Sequence, residues 1–383
     1  MTSLIFFTIL CLIFILVIQT RYSSLFCYRY LKPFNLFWFF FLSACFFYHI
    51  KFHVEVLSIA LLYVVIFVFS FNVTSICLDY ALKDLTFNPR FKIKIIPEQL
   101  FYFVAVLLSF VSIFKGVALL EEHAFSLHLV REDIADGNSI GAGVSFPALM
   151  SAIFISNKYN RRYVMWILIM LAILVVILNS SKLFLFLLFI FIAGLGVVKI
   201  KAKWMVPLAF FSFMVINFAQ GKIESDVNVL NVAYVQFLVY LTGSMFAFSN
   251  YLDGGVYFES MYMIKDLLKS FGFHDRNLIG GGWSDIVASK TNVYTAFTFW
   301  INSFGVFFIF VFSMFLSILH TIFSRINSLS TEFFRLYLLF PLFMIFYSDL
   351  YFRGGKIMVI YVLFAILISF SYKVNIKFGK VSL

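Results

Sequence analysis

The stretch VEVLSIALLYVVIFVFSF, residues 54–71, has one charged side chain, Glu55, among its eighteen residues. An apolar run of this length approaches the ~20 residues that a helix needs to cross the hydrocarbon core of a bilayer. Residues 4–17 and 34–47 form similar runs. The whole chain is 63% hydrophobic and 12% charged, whereas soluble globular proteins are about half apolar and about a quarter charged. These features predict a polytopic helical membrane protein.

Hydropathy predicts an all-α fold with about eleven transmembrane helices (about 10 to 12), which form one integral membrane domain over residues 1–383. The first apolar run lacks a preceding basic segment and a following cleavage site, so we expect a retained span and not a signal peptide. The predicted spans are residues 4–20, 34–50, 54–76, 98–119, 140–156, 163–179, 183–198, 204–219, 296–322, 333–348 and 357–372.

The segments between the spans divide into two sets by charge. One set, with its flanks, carries 18 Lys/Arg against 4 Asp/Glu, and the other carries 11 against 14. Basic segments stay in the cytoplasm, so the basic set and the C-terminal segment are predicted to be inside and the N-terminus outside. This distribution of the net charge of +11 indicates membrane topology and argues against nucleic acid as a partner. The basic segments are residues 21–32, 83–94, 158–162, 199–203, 325–335 and 373–380.

Two predicted outer segments, residues 121–141 and 221–295, are longer than a connection requires. Within the second, residues 229–241 and 258–271 have the pattern of amphipathic helices that lie on the outer leaflet. Residues 229–241 are also compatible with a re-entrant segment. The sequence therefore predicts one large outer loop that contains helices of its own.

Cations recur on the predicted outer side, where the positive-inside rule gives no reason for them. The planar guanidinium of arginine suits phosphate oxygens, particularly where water is scarce. Three of these cations also have a local explanation, since Arg131 precedes two acids, Arg276 follows Asp275 and Lys182 lies in a tight turn. We interpret their recurrence as a candidate pyrophosphate-binding rim. Its members are Arg131, Arg276, Arg353 and Lys182.

Aromatic and polar side chains in the large outer segment are candidates for contact with sugars. Aromatic rings pack against the C–H faces of a sugar, while amide and hydroxyl groups bond its hydroxyls. The alternatives are an ordinary interfacial belt of Trp and Tyr and a helix N-cap by Thr291 or Asn292. The candidate substrate-binding residues are Tyr257, Trp283, Asn292, Tyr294 and Thr295.

The sequence lacks the motifs of several common enzyme classes. There is no Walker-type phosphate loop, zinc-protease motif or G-x-S-x-G elbow. The six histidines are dispersed and the four cysteines have no paired spacing, so neither a metal nor a cofactor is predicted. Asp79 is the one acid that we place close to the interior of a span. Ion-coupled transporters usually need buried carboxylates, so this pattern counts against a transporter.

With these features the chain resembles the Wzy-type polymerases of O-antigen and capsule repeat units. The resemblance includes the span number, the long outer loop and three stretches: YLTGSMFAFSNYL (240–252), NVYT (292–295) and ILNSSKLFLFLL (177–188). Arg131 and Arg276 match functional arginines in two outer loops of that family. Two departures are Lys182, where an arginine is more usual, and the stretch before Gly305, which lacks the acidic residue of many members.

The resemblance implies a GT-C-like glycosyltransferase of the bacterial inner membrane that acts at the periplasmic face without a metal. Its partners would be membrane lipid, undecaprenyl-pyrophosphate-linked glycans as donor and acceptor, and, as a candidate, a chain-length regulator protein. A hydroxyl of the acceptor attacks the anomeric carbon of the growing chain, and undecaprenyl pyrophosphate leaves. The cations of the rim would stabilise this leaving group, and His274 or Asp285 is the candidate base. A lipid-linked glycan flippase or transporter and an O-antigen ligase are the alternatives.

The topology can be tested by labelling with a membrane-impermeant maleimide in spheroplasts. With the native cysteines replaced, we expect Asp133→Cys and Asp253→Cys to react without permeabilisation, because both lie in predicted outer segments. Asn160→Cys, in a basic segment, should react only after permeabilisation. Protection of both outer positions in intact spheroplasts would contradict the assigned orientation.

Overall fold

The computed structural model shows two compact units, each assembled from separate parts of the chain. Unit 1 comprises Met1–Phe87, Glu224–Asn327 and Leu338–Met358, and unit 2 comprises Asn88–Ile223, Ser328–Tyr337 and Val359–Leu383. Within them the structure describes residues 9–10, 12–13, 31–53, 56–82, 85–87, 94–124, 126, 129–130, 141–179, 182–196, 229–273, 284–286, 289–291, 294–346, 348–352 and 355–373.

Helices account for most of the described residues, which agrees with the predicted fold class. In chain order they are α1 (Leu31–Phe52), α2 (Ser58–Ala81), α3 (Glu98–Glu122), α4 (Ala142–Lys158), α5 (Arg162–Leu178), α6 (Lys182–Leu195), α7 (Val229–Leu252), α8 (Tyr262–Ser270), α9 (Ala296–Phe304), α10 (Phe307–Arg325), α11 (Leu329–Phe343) and α12 (Gly355–Ser369). Four short strands are β1 (Ile96–Pro97), β2 (Ser284–Ile286), β3 (Ser289–Thr291) and β4 (Ser371–Tyr372). β1 pairs in parallel with β4, and β2 pairs antiparallel with β3.

The apolar helices make this a multi-pass membrane protein. In the described part of the chain, α1, α2, α3 and α10 are long and apolar enough to cross a membrane, and α5, α6 and α12 are shorter apolar helices. Outward-facing Phe and Leu side chains on these helices, such as Phe69 and Phe114, suit contact with lipid. The total of about eleven spans stays a prediction, because residues 204–219 and most of 4–20 lie outside the described residues.

The prediction of one continuous span over residues 296–322 is wrong. α9 ends at Phe304, and α10 begins at Phe307. Gly305 lies between them with φ +81°, and its N–H donates to the Ile301 carbonyl at 2.9 Å. With ψ 173° the residue has a positive-φ, extended conformation that glycine adopts without a Cβ penalty, so it ends the helix here. Hydropathy did not detect the break because both sides of Gly305 are equally apolar.

The two predicted helices of the large outer loop are both present. α8 occupies part of residues 258–271. α7 extends well beyond residues 229–241, and its side chains from Thr242 to Ser249 are buried. α7 packs against α1, α2 and α9. The second half of α7 is therefore a core helix of unit 1 and not a helix on the leaflet surface.

A ladder of hydroxyl groups joins α2 to α10. Ser70 hydrogen-bonds to Ser313, and Ser75 Oγ lies 2.8 Å from Ser317 Oγ. Ser317 also donates to the Phe71 carbonyl at 2.9 Å, and Thr321 lies one turn further along α10. Hydrogen bonds of this kind hold membrane helices together because the hydrocarbon offers no other partners.

An ion pair closes the ladder at its C-terminal end. Arg325 Nη2 lies 3.2 Å from Asp79 Oδ1 and also donates to the Asp79 carbonyl at 3.0 Å. Both side chains are at most 5% exposed. The acid predicted near the interior of a span therefore has a structural partner, and it is no evidence for ion transport.

In unit 2, α3 packs closely against α4 and α5. A Cβ on Gly116 would lie 2.9 Å from Leu178 Cβ, so only glycine permits this approach. Ser112 donates to Ser145 Oγ at 2.8 Å. Near the start of α3, the buried Glu98 carboxylate accepts two hydrogen bonds from Arg161 (2.6 and 3.1 Å) and one from Tyr102 (3.0 Å). These contacts fix the α3–α4–α5 layer.

The Asp79–Arg325 pair generates a stability prediction. We expect Asp79→Leu to lower stability by about 3–5 kcal/mol, because it leaves a buried guanidinium without its carboxylate. The double variant Asp79→Leu/Arg325→Met should recover most of this loss. The measurement is the unfolding midpoint in detergent. As a control, Lys158→Met removes one partner of the exposed pair with Glu332 and should change it little. A double variant no more stable than Asp79→Leu would contradict the assignment.

Candidate functional site

The two residues that precede α9 are buried within unit 1. Tyr294 is 4% exposed, and its ring meets Phe258 edge-to-face with centroids 5.0 Å apart. Thr295 is the N-cap residue, its side chain makes no capping bond, and the Ala296 N–H donates to the Ile345 carbonyl at 2.8 Å. The expected N-cap by Thr291 or Asn292 is therefore wrong. Thr291 instead ends β3, four residues earlier.

Three buried hydroxyl groups on α7 and at the start of α9 have no hydrogen-bond partner in the described structure. They belong to Thr295, Thr298 and Ser244, and the indole N–H of Trp300 also lacks a hydrogen-bond partner there. Each of these residues is at most 1% exposed. Buried polar groups are usually paired with protein or with ordered water. This part of unit 1 therefore retains polar binding capacity in an otherwise aromatic core.

Two polar side chains at the end of α9 hold the start of α8. Asn302 Oδ1 accepts from the Tyr262 N–H at 3.1 Å, and its Nδ2 donates to the Phe258 carbonyl at 3.2 Å. Ser303 Oγ accepts from the Met263 N–H at 3.2 Å. These bonds satisfy amides that the first turn of a helix leaves without an intrahelical partner. Asn302 and Ser303 thus have a structural role in the stretch before Gly305, which lacks the acidic residue of many family members.

A buried carboxylate lies in the segment between α11 and α12. Asp349 is fully buried, and its Oδ1 accepts from the Tyr351 and Phe352 N–H groups at 3.1 and 3.3 Å. The Tyr351 hydroxyl lies 3.4 Å from Nε2 of the buried His320. Ionisable residues inside a membrane protein are costly and frequently functional. We place Asp349, Tyr351 and His320 together as the buried polar cluster of unit 1.

The residues predicted for the site have different outcomes. Lys182 is the first residue of α6, and Asp285 in β2 pairs with Lys290 of β3 in backbone register. Tyr257 is 68% exposed, which leaves its ring accessible, whereas Tyr294 and Thr295 are buried. In the described residues there is no group of three or more metal-ligating side chains. Arg131, Arg276, Arg353, His274, Trp283 and Asn292 lie outside the described residues.

The buried polar cluster was not predicted from the sequence. Asp349 directly follows the predicted span 333–348, and His320 is one of the six dispersed histidines. The one sequence signal was an ionisable residue within or beside a long apolar run, as at His320. Asp349, Tyr351 and His320 lie close together because residues 348–352 pack beside α10. No local sequence pattern specifies that contact.

The fold and the buried polar cluster define a multi-pass helical membrane protein with polar groups inside its bundle. The chain is 25% identical over 331 residues to an O-antigen polymerase of Shigella dysenteriae, a match that covers 83% of this chain and 86% of that protein. This similarity confirms the resemblance to the Wzy-type polymerase family. No family model and no solved structure matches the chain.

The hydrogen bonds between α8 and α9 generate a further prediction. Asn302→Ala should increase hydrogen exchange of the Tyr262–Ser270 amides, because it leaves the Tyr262 N–H and the Phe258 carbonyl without their partner. Each unpaired backbone group destabilises the folded arrangement by about 1–3 kcal/mol. Ser303→Ala removes one bond and should have the smaller effect. Unchanged exchange in Asn302→Ala would show that other contacts hold α8.

Proposed function

We propose that the chain is a polysaccharide polymerase that joins undecaprenyl-pyrophosphate-linked repeat units at the periplasmic face of the inner membrane. The observation that carries this proposal is the similarity to an O-antigen polymerase over most of both chains. The multi-pass helical fold and the long segment between residues 221 and 295 are consistent with it. A chain-length regulator protein is a candidate partner.

The proposed reaction is a glycosyl transfer. A hydroxyl oxygen of the acceptor forms a bond to the anomeric carbon of the donor glycan. The bond from that carbon to the pyrophosphate oxygen breaks, and its electron pair leaves with undecaprenyl pyrophosphate. The hydroxyl proton goes to a base, for which His274 and Asp285 are the candidates. Because the leaving group is already activated, the protein needs mainly to hold both glycans and to stabilise the negative charge.

Cations would supply that stabilisation without a metal. Arg131, Arg276 and Arg353 would donate to pyrophosphate oxygens through their planar guanidinium groups, and Lys182 would assist as a point charge. Preorganised donors of this kind are effective because they need no reorganisation as charge develops. Tyr257, whose ring is exposed, and Trp283 would pack against sugar rings. Asn292 would bond sugar hydroxyls, and the buried Tyr294 and Thr295 would support that contact from the start of α9.

Deletion of the gene, followed by a gel of surface polysaccharide, tests the proposed activity. We expect surface molecules that carry one repeat unit and no ladder, and restoration of the ladder by the wild-type gene. Free ladders that are not attached to their acceptor would indicate a ligase instead. Lipid-linked units accumulated in the cytoplasm would indicate a flippase. An unchanged ladder would refute all three functions.

Complementation with Arg131→Ala and Arg276→Ala tests the candidate rim. Each should yield only single repeats at normal protein abundance, since loss of one such donor costs on the order of 2.7–4 kcal/mol of transition-state stabilisation. Arg162→Ala is a matched control, because it removes an exposed arginine from a predicted cytoplasmic segment. Normal chain lengths with both outer variants would reject the rim and leave the polymerase activity standing.

A further inference from the structure

Residues 256–271, which contain α8, pack against the start of α9. The Phe258 ring meets the rings of Tyr294 and Phe299 edge-to-face, with centroids 5.0 and 5.5 Å away. Tyr294 and Thr295 are both predicted to contact substrate, yet they are only 4% and 1% exposed. For either residue to touch a glycan, the chain that packs on the start of α9 must first move.

Contacts at both ends of α8 keep this segment in place. The side chains of Asn302 and Ser303 hold the start of α8 on the end of α9, through the hydrogen bonds described above. Near the other end of α8, a Cβ on Gly355 would lie 2.5 Å from Leu267 Cδ1. α8 therefore packs closely on the start of α12 as well, and the structure shows the segment in a closed position.

Backbone conformations suited to a hinge flank the segment. Gly254 lies before it with φ +78°, and Gly272 lies after it with φ +80°. Met261, directly before α8, has φ +58°, a region in which a residue with a Cβ is strained. Hinges are usually a few loop or helix-terminal residues that absorb changes in φ and ψ. Gly254 and Gly272 can absorb such changes without a steric penalty.

The segment itself contributes little to the core of unit 1. Among its described side chains, Phe258 and Met263 are buried, and the others are exposed or partly exposed. α8 has nine residues, and a helix of this length is marginal unless it is docked on other elements. Regions with few buried side chains open locally at a lower free energy than global unfolding requires. We therefore expect residues 256–271 to open while the rest of unit 1 stays folded.

A polar stripe runs along the side of α9 that holds α8. Thr295, Thr298 and Asn302 are spaced by three and four residues, which places them along one side of the helix. Asn302 binds the start of α8, whereas the buried hydroxyls of Thr295 and Thr298 have no hydrogen-bond partner in the described part of the chain. Buried hydroxyls are usually paired. These two can therefore accept a ligand's hydroxyl groups as partners once the segment has moved.

We propose that residues 256–271 are a lid over a glycan-binding face of α9, and that Thr298 binds sugar hydroxyls on this face. The inference rests on the proposed function, which supplies the lipid-linked glycan as the ligand. Opening of the lid brings Tyr294, Thr295 and Thr298 into direct contact with the glycan. Closure returns the Phe258 ring to Tyr294 and excludes water from the face between turnovers.

A disulfide that locks the lid tests the need for opening. In a chain without native cysteines, Leu267→Cys/Gly355→Cys places two thiols where α8 meets α12. We expect the fully oxidised protein to polymerise lipid-linked repeat units at least about tenfold more slowly than the same protein after reduction, because the lid cannot open. The matched control is Ser112→Cys/Ser145→Cys, which joins α3 to α4 within unit 2, where the two hydroxyl oxygens lie 2.8 Å apart. Its rate should not depend on oxidation. Equal rates before and after reduction of the lid variant would overturn the lid.

Thiol labelling measures opening without any assay of polymerisation. Met263→Cys, as the one cysteine in the chain, should react with a water-soluble maleimide, because its buried side chain becomes accessible when the lid opens. A chain that retains only the buried native Cys45 of α1 is the control and should stay unlabelled. Asn302→Ala removes two bonds to the lid and should raise the labelling rate of Met263→Cys roughly tenfold. Met263→Cys as inert as Cys45, or a rate that Asn302→Ala leaves unchanged, would refute the lid.

The binding role of Thr298 has a separate test. Thr298→Val replaces a hydroxyl that has no partner in the described structure by a methyl group, so the unfolding midpoint in detergent should not fall. We expect polymerisation to drop about tenfold through a higher KM for the lipid-linked unit. The control is Thr321→Val, which makes the same change in the hydroxyl ladder and should keep the wild-type KM. A wild-type KM in Thr298→Val would overturn its binding role.

These outcomes separate the inference from the proposed function. A ladder that survives deletion of the gene rejects the polymerase, and the labelling rates then still decide whether the lid opens. A lost ladder together with a locked lid variant that polymerises normally rejects the lid and leaves the polymerase standing.

Discussion

Polar groups inside a bilayer must find their partners within the protein, and the arrangement of unit 1 follows from this constraint. The hydrocarbon core offers neither donors nor acceptors. Along α2 and α10, serine and threonine hydroxyls pair across the interface, and the Asp79–Arg325 ion pair closes it. On the other side of α2, Asn35 and Asn72 exchange two side-chain hydrogen bonds, at 2.7 and 2.8 Å. A change in the register of α10 against α2 would break the hydroxyl pairs and the ion pair together.

The fixed position of α10 determines the surroundings of the buried polar cluster. Ser313 and Ser317 face α2, while Phe312 and His320 contact the segment that contains Tyr351. The break at Gly305 separates α9 from α10, and the end of α9 carries the two side chains that hold α8. Helices therefore position both the turn from Asp349 to Phe352 and the start of α8. Sites supported by packed helices are held more precisely than sites on loops alone.

The similarity to an O-antigen polymerase and the internal structure support the proposed function in different ways. The similarity indicates the class of reaction, although only 25% of the aligned residues are identical. The structure shows polar groups buried inside the bundle, namely Asp349 and the unpartnered hydroxyls at the start of α9. A bundle that only had to fold in a membrane would not require them. Burying a polar group costs stability unless it is hydrogen-bonded to protein or ordered water. Polar groups of this kind inside the bundle fit the proposed polymerase activity.

The sequence by itself determined the class of the fold and the position of most helices. Runs such as residues 58–81 contain too few polar side chains for any other structure at this length. Charge in the connecting segments predicted an orientation in the membrane and a cationic rim, and both stay predictions. The tertiary structure alone decided that α9 ends at Gly305, that α7 is partly a core helix, and that Asp349 lies beside Tyr351 and His320. Hydropathy is a sum over neighbours in the chain, whereas a buried carboxylate and its partners meet through contacts between residues far apart in sequence.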